Sequence, residues 1–342
     1  MYGIQTRTAG AVRKATAQKL ERAMNNVPRW LMLAGTLIAG LSVTLHASAN
    51  DATCEHPHPC GNEWPEGLTG PFEIPEATEV FVESHDGTPL HGWLWVPALP
   101  EGVRAPTILV SSPYYGFASL LEPPETRLIE QGYAVAAFSV RGTARSGGCF
   151  ENKGLNEQQD QAHLVEWLAA QPWSSGRVAM MGLSYPGTTP LMAAIQSPPS
   201  LKAIIPMGPV TDPFTEMHSP NGALYTMGGP NEAGRRGGVT FAPTDHILGA
   251  GGDPSTLPDR LCPELVEVLT TPNLGMVSDD RNPAYWSARN LTMGFPDITA
   301  AVLIGHGLKE RAHPFQDDPM WEAISQAPKA MVLGQWAHEI PA

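Results

Sequence analysis

Short apolar runs alternate with longer amphipathic stretches along most of this chain. The first clear pattern is T-E-V-F-V-E-S at 78–84 and L-H-G-W-L-W-V-P at 90–97, two alternating segments around H-D-G-T-P. Alternation on both sides of Asp-Gly predicts an antiparallel hairpin. T-I-L-V-S-S at 107–112 and Y-A-V-A-A-F-S-V at 133–140 are continuous apolar runs, fit for strands buried on both faces. R-V-A-M-M-G-L-S at 177–184, L-K-A-I-I-P-M at 201–207, T-A-A-V-L-I-G-H at 299–306 and K-A-M-V-L-G at 329–334 repeat the pattern. Between them lie helical stretches at 119–131, 157–171, 185–197 and 315–327. In the second of these, Ala162, Val165, Trp167 and Leu168 fall on or near one face. Strands alternating with helices predict an α/β fold with a mostly parallel sheet and right-handed crossovers.

The alternation breaks at 209–295, which is rich in Gly, Pro and Asn, with helical pieces near 263–271 and 283–290. A long insertion between two strands of a parallel sheet is usually functional. The chain therefore divides into an export segment at 1–49, a polar Pro-rich arm at 50–75, and a core at 76–208. The insertion at 209–295 follows, and the core resumes at 296–342.

The export segment is read from its charges. Positions 1–30 carry Arg7, Arg13, Lys14, Lys19, Arg22 and Arg29 against Glu21; an uncharged run at 31–45 follows, then Ala47-Ser48-Ala49. A basic region, an apolar stretch and small residues at the cleavage site make a signal peptide. The apolar run is short for a membrane span, which needs about 20 residues. An N-terminal membrane anchor is the competing reading, and Met24 is an alternative start for the leader. The protein is expected to be secreted or periplasmic. Four cysteines, Cys54, Cys60, Cys149 and Cys262, fit an oxidising compartment and allow three pairings. Pairing Cys54 with Cys60 closes a small loop and leaves Cys149 with Cys262. His56 and His58 lie in that loop, but the spacing matches no standard zinc pattern. With 34 acidic against 21 basic residues and a net charge of −13, the chain is a poor candidate for nucleic acid. Charged residues make up 16% of it and hydrophobic ones 42%, which describes a globular, loop-rich enzyme-like domain.

The chemistry sits where strands end. Ser184, in G-L-S-Y-P-G at 182–187, follows an apolar strand and opens a helix. That is the context of a nucleophile elbow and of the α/β-hydrolase fold. Serine needs a base, and the fold's chain order is Ser, acid, His. His338, in G-Q-W-A-H after the last strand, takes the base position; His306 is its rival. Glu310, in G-H-G-L-K-E at 305–310, takes the acid position; Asp317 and Asp318 are the alternatives. A carboxylate there would hold the imidazole tautomer and stabilise the imidazolium. The backbone N–H of Tyr185 is placed to serve an oxyanion, and the Tyr114 hydroxyl in S-S-P-Y-Y-G is a second candidate donor. Pro186 falls where many elbows have glycine, and restricts Tyr185 before it. This chemistry requires no metal and no organic cofactor.

Taken together, these segments resemble the family of X-Pro dipeptidyl-peptidases, cocaine esterase and related acyl hydrolases. The resemblance runs from about residue 76 to 338 and also rests on V-R-G-T-A-R-S-G-G at 140–148, E-W-L-A-A-Q-P-W-S-S-G-R-V at 166–178 and N-P-A-Y-W-S-A-R at 282–289. It implies Ser184 as nucleophile, His338 as base, Glu310 in the place of an acid that is usually Asp, and Tyr114 with Tyr185 as oxyanion donors. It also implies that 209–295 is a helical cap over the acyl pocket. Two departures stand out. Ser139 stands where the family commonly has an Asp before the arginine of V-R-G-T, and the chain stops four residues after His338, where the family continues into a β-sandwich domain.

The expected activity is hydrolysis of a small ester or peptide substrate through an acyl-enzyme. A dipeptidyl-peptidase would need a carboxylate for the substrate's ammonium, for which Glu216, Glu232 and Asp245 are available. The rival classes are a catalytically silent binding protein on the same fold and an acyltransferase.

Overall fold

A computed structural model describes residues 70–114, 123–218, 257–270, 284–309 and 317–339. Eight strands form one mixed sheet: β1 Thr78–Glu83, β2 Pro89–Trp95, β3 Ala105–Ser112, β4 Ala134–Ser139, β5 Ser174–Leu183, β6 Leu201–Met207, β7 Ala301–Gly307 and β8 Lys329–Gly334. Their order across the sheet is β1-β2-β4-β3-β5-β6-β7-β8. β1 and β2 are antiparallel, β2 joins β4 antiparallel, and every pair from β4 to β8 is parallel. This is the α/β-hydrolase architecture expected from the sequence.

The central strands read as continuous apolar runs because both faces are covered. Along β3, Leu109 points to one core cluster with Leu164, Leu168 and Leu191, while Ile108 and Val110 point to another with Ile129 and Trp95. The same alternation separates Ala136 and Phe138 from Val135 and Ala137 on β4. Helices α2 (Leu155–Ala169) and α3 (Tyr185–Ala194) therefore cover one face, and α1 (Pro123–Glu130) packs on the other. β8 lies at the sheet edge, with Val332 and Leu333 exposed.

The hairpin turn follows its sequence. Gly87 takes φ of +82°, and the Asp86 carboxylate accepts the Thr88 N–H at 3.0 Å. Helix α3 carries Pro190 in its interior, which removes one N–H. The Pro186 carbonyl that this N–H would have met accepts the Thr189 hydroxyl at 3.1 Å.

Of the insertion, the described parts are a π-helical turn at Phe214–His218, the short helices α4 (Leu257–Arg260), α5 (Pro263–Thr270) and α6 (Ala284–Ser287), and a 3-10 turn at Thr292–Asp297. A disulfide joins Cys149 to Cys262 across 113 residues, as the second of the expected pairs; Cys54 and Cys60 lie outside the described residues. Phe150 and Leu261 bridge beside it, with Phe150 N–H donating to the Arg260 carbonyl at 2.7 Å and Cys262 N–H to the Phe150 carbonyl at 3.1 Å. The expected leader at 1–49 is also outside the described residues. Among those described, no helix is long and apolar enough to cross a membrane.

Candidate active site

The carboxyl ends of the parallel strands carry nearly every residue singled out by the sequence, as expected for an open α/β sheet. Ser184 separates β5 from α3 and adopts φ 68°, ψ −125°. A non-glycine residue held in that region is strained, so the neighbours must enforce it. Ser184 N–H donates to the Met207 carbonyl at the end of β6 (2.9 Å), and the Ser184 carbonyl accepts the N–H and hydroxyl of Thr188 at 3.0 and 3.2 Å. Two glycines make room. A Cβ on Gly182 would stand 2.4 Å from the Pro186 carbonyl oxygen, and one on Gly187 would stand 2.3 Å from that of Met207. Pro186 fits as the second residue of α3, where an N–H has no intrahelical partner. The elbow accommodates the proline.

Ser184 is buried, and its side chain is hydrogen-bonded to that of Tyr114. Burial pushes the Tyr114 phenol up and the bond from Ser184 partly offsets this, so the hydroxyl stays protonated as a donor. Tyr185 is the first residue of α3, and its N–H is one of the helix's unpaired donors. Its ring meets the Tyr114 ring edge-on, with centroids 6.4 Å apart. The structure thus brings Ser184, Tyr114 and Tyr185 together.

His338 is exposed, four residues past β8. The segment before it folds back: Leu308 N–H donates to the Gly334 carbonyl at 2.7 Å and Lys309 N–H to that of Trp336 at 3.0 Å. This packing needs glycine on both strands. A Cβ on Gly307 would lie 2.4 Å from the Trp336 carbonyl oxygen, and one on Gly334 would lie 1.6 Å from Cζ3 of the Trp336 ring. The chain leading to Glu310 is therefore hydrogen-bonded to the chain leading to His338. Glu310 itself lies outside the described residues, and Asp317 and Asp318 open α7 (Asp317–Ala323). His306, the rival base, is buried within β7 opposite Leu333.

Two polar clusters beside the elbow escaped sequence reading. The first answers the missing Asp near Arg141. Asp160 of α2 receives Arg141 Nε and Nη2 at 2.6 Å each and also the Ser84 hydroxyl, while Asp86 takes Nη1 at 3.0 Å. Burial raises the Asp160 carboxyl against the pull of Arg141, whereas Arg141 holds Asp86 well below the usual range. His85, Asp86 and Asp160 have ligand atoms close enough for a metal, but the guanidinium already lies among them.

The second cluster lies under Tyr185. Glu157 and Lys153 are buried, and the Glu157 carboxylate accepts the Tyr185 hydroxyl at 2.6 Å and the Lys153 N–H at 2.9 Å. Burial raises Glu157 and lowers Lys153. Glu157, Gln158, Asp160 and Gln161 form a buried polar start to a helix whose apolar residues alone guided its reading. Nearby, at the start of the insertion, the Glu216 Oε1 atom accepts the N–H groups of Thr211 and Asp212 at 2.8 Å each and the Thr211 hydroxyl at 2.5 Å. Its Oε2 is buried with no hydrogen-bond partner among the described residues, and burial raises the carboxyl to about 7. Glu232 and Asp245 fall outside the described residues.

A family model described as X-Pro dipeptidyl-peptidase matches residues 86–339, from the hairpin turn to just past His338. The chain belongs to that family. A putative Xaa-Pro dipeptidyl-peptidase of Bacillus cereus is 23% identical over 360 residues, covering 90% of this chain and 58% of the relative. Cocaine esterase of Rhodococcus is 31% identical over 153 residues, covering 43% of this chain and 26% of that protein. Among solved structures, a CocE/NonD family hydrolase from Staphylococcus aureus aligns with TM-score 0.57 and 19% identity, over 76% of this chain and 46% of that one. The last likeness supports the fold. The chain spans less than two thirds of the length of these relatives.

Proposed function

We propose that this chain is an exported serine hydrolase that cleaves small esters or peptides through an acyl-enzyme on Ser184. The observation that carries this reading is Ser184 itself, held at positive φ on the strand–helix turn with the Tyr114 side chain bonded to it. His338 accepts the Ser184 proton as Oγ attacks the carbonyl, with Glu310 orienting the imidazole. The tetrahedral oxyanion is met by the Tyr114 hydroxyl and the Tyr185 N–H. His338 then gives the proton to the leaving alcohol or amine. Water, activated by the same base, releases the acyl group and regenerates the serine. The Cys149–Cys262 disulfide supports the export reading, since such bonds persist outside the reducing cytosol.

The test is intact-mass labelling of the purified protein with a fluorophosphonate, beside Ser184→Ala. A single adduct absent from the variant is the expected result. Failure of the folded protein to label would favour the binding-protein reading. An acyltransferase would instead form product only with an added alcohol.

Glu216 favours the peptidase arm of this reading. A buried carboxylate with one oxygen held by three donors and the other unpartnered among the described residues is suited to a substrate ammonium. Glu216→Gln should slow cleavage of an Ala-Pro chromogenic substrate far more than that of an acetyl ester. Equal slowing of both would remove Glu216 from ammonium recognition.

A further inference from the structure

We propose that Glu157 and Lys153 are positioning residues for the oxyanion site, holding Tyr185, and through its ring Tyr114, in register with Ser184. The inference rests on the hydrolase reading above and concerns side chains that have no step in that chemistry.

The geometry is a chain of contacts running from the core to the nucleophile. Tyr185 offers Ser184 its backbone and sends its side chain the other way. There its hydroxyl donates to Glu157 Oε1 at 2.6 Å and accepts the Lys153 N–H at 3.0 Å. The same N–H reaches Glu157 Oε2 at 2.9 Å, so the three residues close a ring of hydrogen bonds. Lys153 Nζ lies 4.0 Å from the centroid of the Tyr185 ring and donates to Asn152 Oδ1 at 2.9 Å. The ring is thus fixed at its hydroxyl and on one face. It also meets the Tyr114 ring edge-on, and Tyr114 is bonded to Ser184. Rotation or withdrawal of Tyr185 would disturb both proposed oxyanion donors at once.

The arrangement is costly in ways that stability alone does not repay. Asn152 and Lys153 are consecutive non-glycine residues at φ 53° and 69°, a strained pair. The strain is held from outside by Arg289, which donates to the Asn152 carbonyl at 3.0 Å and the Glu151 carbonyl at 2.6 Å. Glu157 and Lys153 are both buried, and taking ionisable side chains out of water costs free energy. Strain and buried charge kept next to a nucleophile instead fit preorganisation, in which donors are set before the oxyanion forms.

The experiment compares Tyr185→Phe, Glu157→Gln and their combination with the parent on a chromogenic ester. Activity is expressed per active site, counted by the burst of the acyl-enzyme. Tyr185→Phe keeps the ring and removes only the hydroxyl, so it remains informative if a Glu157 variant fails to fold. Expected are kcat losses of about tenfold in each single variant with KM within about twofold, since the loss falls on the transition state. The double variant should be no worse than the poorer single, because both changes break the same linkage. A merely structural role would lower the melting temperature and the number of titratable sites but leave kcat per site intact. That result, or losses that multiply in the double variant, would overturn the inference. If the parent neither labels at Ser184 nor shows a burst, the hydrolase reading fails and this inference with it. An active parent with unaffected variants sinks the inference alone.

Discussion

Gly334→Ala should disable the proposed hydrolase from the edge of the sheet without unfolding it. An added Cβ would stand 1.6, 2.2 and 2.6 Å from Cζ3, Cε3 and Cη2 of Trp336. Carbon atoms pack at about 3.5–4.0 Å, so the indole must retreat by about 2 Å. The Trp336 carbonyl is bonded to Lys309 N–H and lies against Gly307, so any shift of the residue that accompanies the ring is passed to its neighbours. The displaced segment carries His338, two residues on. If His338 is the base as proposed, its misplacement by about 1 Å costs on the order of 100-fold in rate. The substitution lies on the edge strand β8, so the core on the faces of β3 to β6 stays intact. The assay is kcat/KM on an acetyl chromogenic ester together with the rate of fluorophosphonate labelling. Both should fall about 100-fold, while the thermal midpoint moves by only a few degrees, as for a change of about 1 kcal/mol. A folded Gly334→Ala protein with parental turnover would refute the argument that Trp336 packing sets the base.

Three further outcomes follow from the geometry. Tyr114→Phe should lower kcat by about 10²–10³-fold with little change in KM, the signature of a lost oxyanion donor; a loss confined to KM would move Tyr114 to substrate binding. Asp160→Ala leaves Arg141 buried beside Asp86 alone and should destabilise by about 3–5 kcal/mol in denaturant unfolding, whereas a loss under about 1 kcal/mol would show that the pair relaxes into solvent. Glu216 is raised from 4.5 to about 7 by burial, so the folded state binds its proton more tightly than the unfolded chain. Its contribution is therefore full below about pH 4.5 and is lost as pH rises through about 7. The stability gap between parent and Glu216→Gln should shift by about 3 kcal/mol between those limits, and a gap constant with pH would show that the carboxyl is not held neutral.

What the sequence made legible depended on how local the cause was. The bounds of β6 and β8 are legible to the residue because each is a short continuous apolar run of strand length. Ser184 was legible because the elbow needs a strand, small neighbours and a helix start, all within a few positions. Long-range electrostatics were not. Ser139 left Arg141 without an apparent acid, yet its partners are Asp160, 19 residues away, and Asp86, 55 away. The first turns of α2 carry Glu157, Gln158, Asp160 and Gln161, a pattern that reads as a solvated face. Here that face is turned into the core and satisfied by Ser84, Arg141, Lys153 and Tyr185. Chain order alone points to His338; the fit of Trp336, two residues before it, against Gly307 and Gly334 is something no periodicity reports.

The loop from Arg141 to Gly154 joins these parts physically. At one end Arg141 binds α2 and the hairpin turn. At the other, Lys153 and Glu157 hold Tyr185. In between, the disulfide from Cys149, the Phe150–Leu261 bridge and the Arg260 side chain, which reaches the carbonyls of Ser146 and Ala144, tie the loop to the insertion. Even the start of α2 depends on it. The Glu151 carboxylate caps the N–H groups of Asn156 and Glu157 at 3.0 and 3.2 Å, and a side chain at Gly154 would collide with it at 2.3 Å. A shift of α4 and α5 therefore acts on the same loop that holds Tyr185, the residue after Ser184. A cross-link of 113 residues at this point closes a long loop of the unfolded chain, worth about 4–5 kcal/mol on a chain-entropy reckoning. Its placement adds a second effect, for it fixes the described insertion helices to the loop whose far end holds Tyr185. Cys149→Ser with Cys262→Ser should then lower kcat per titrated serine as well as stability. A variant that loses stability alone would show that the backbone bridge at Phe150 is sufficient to hold the register.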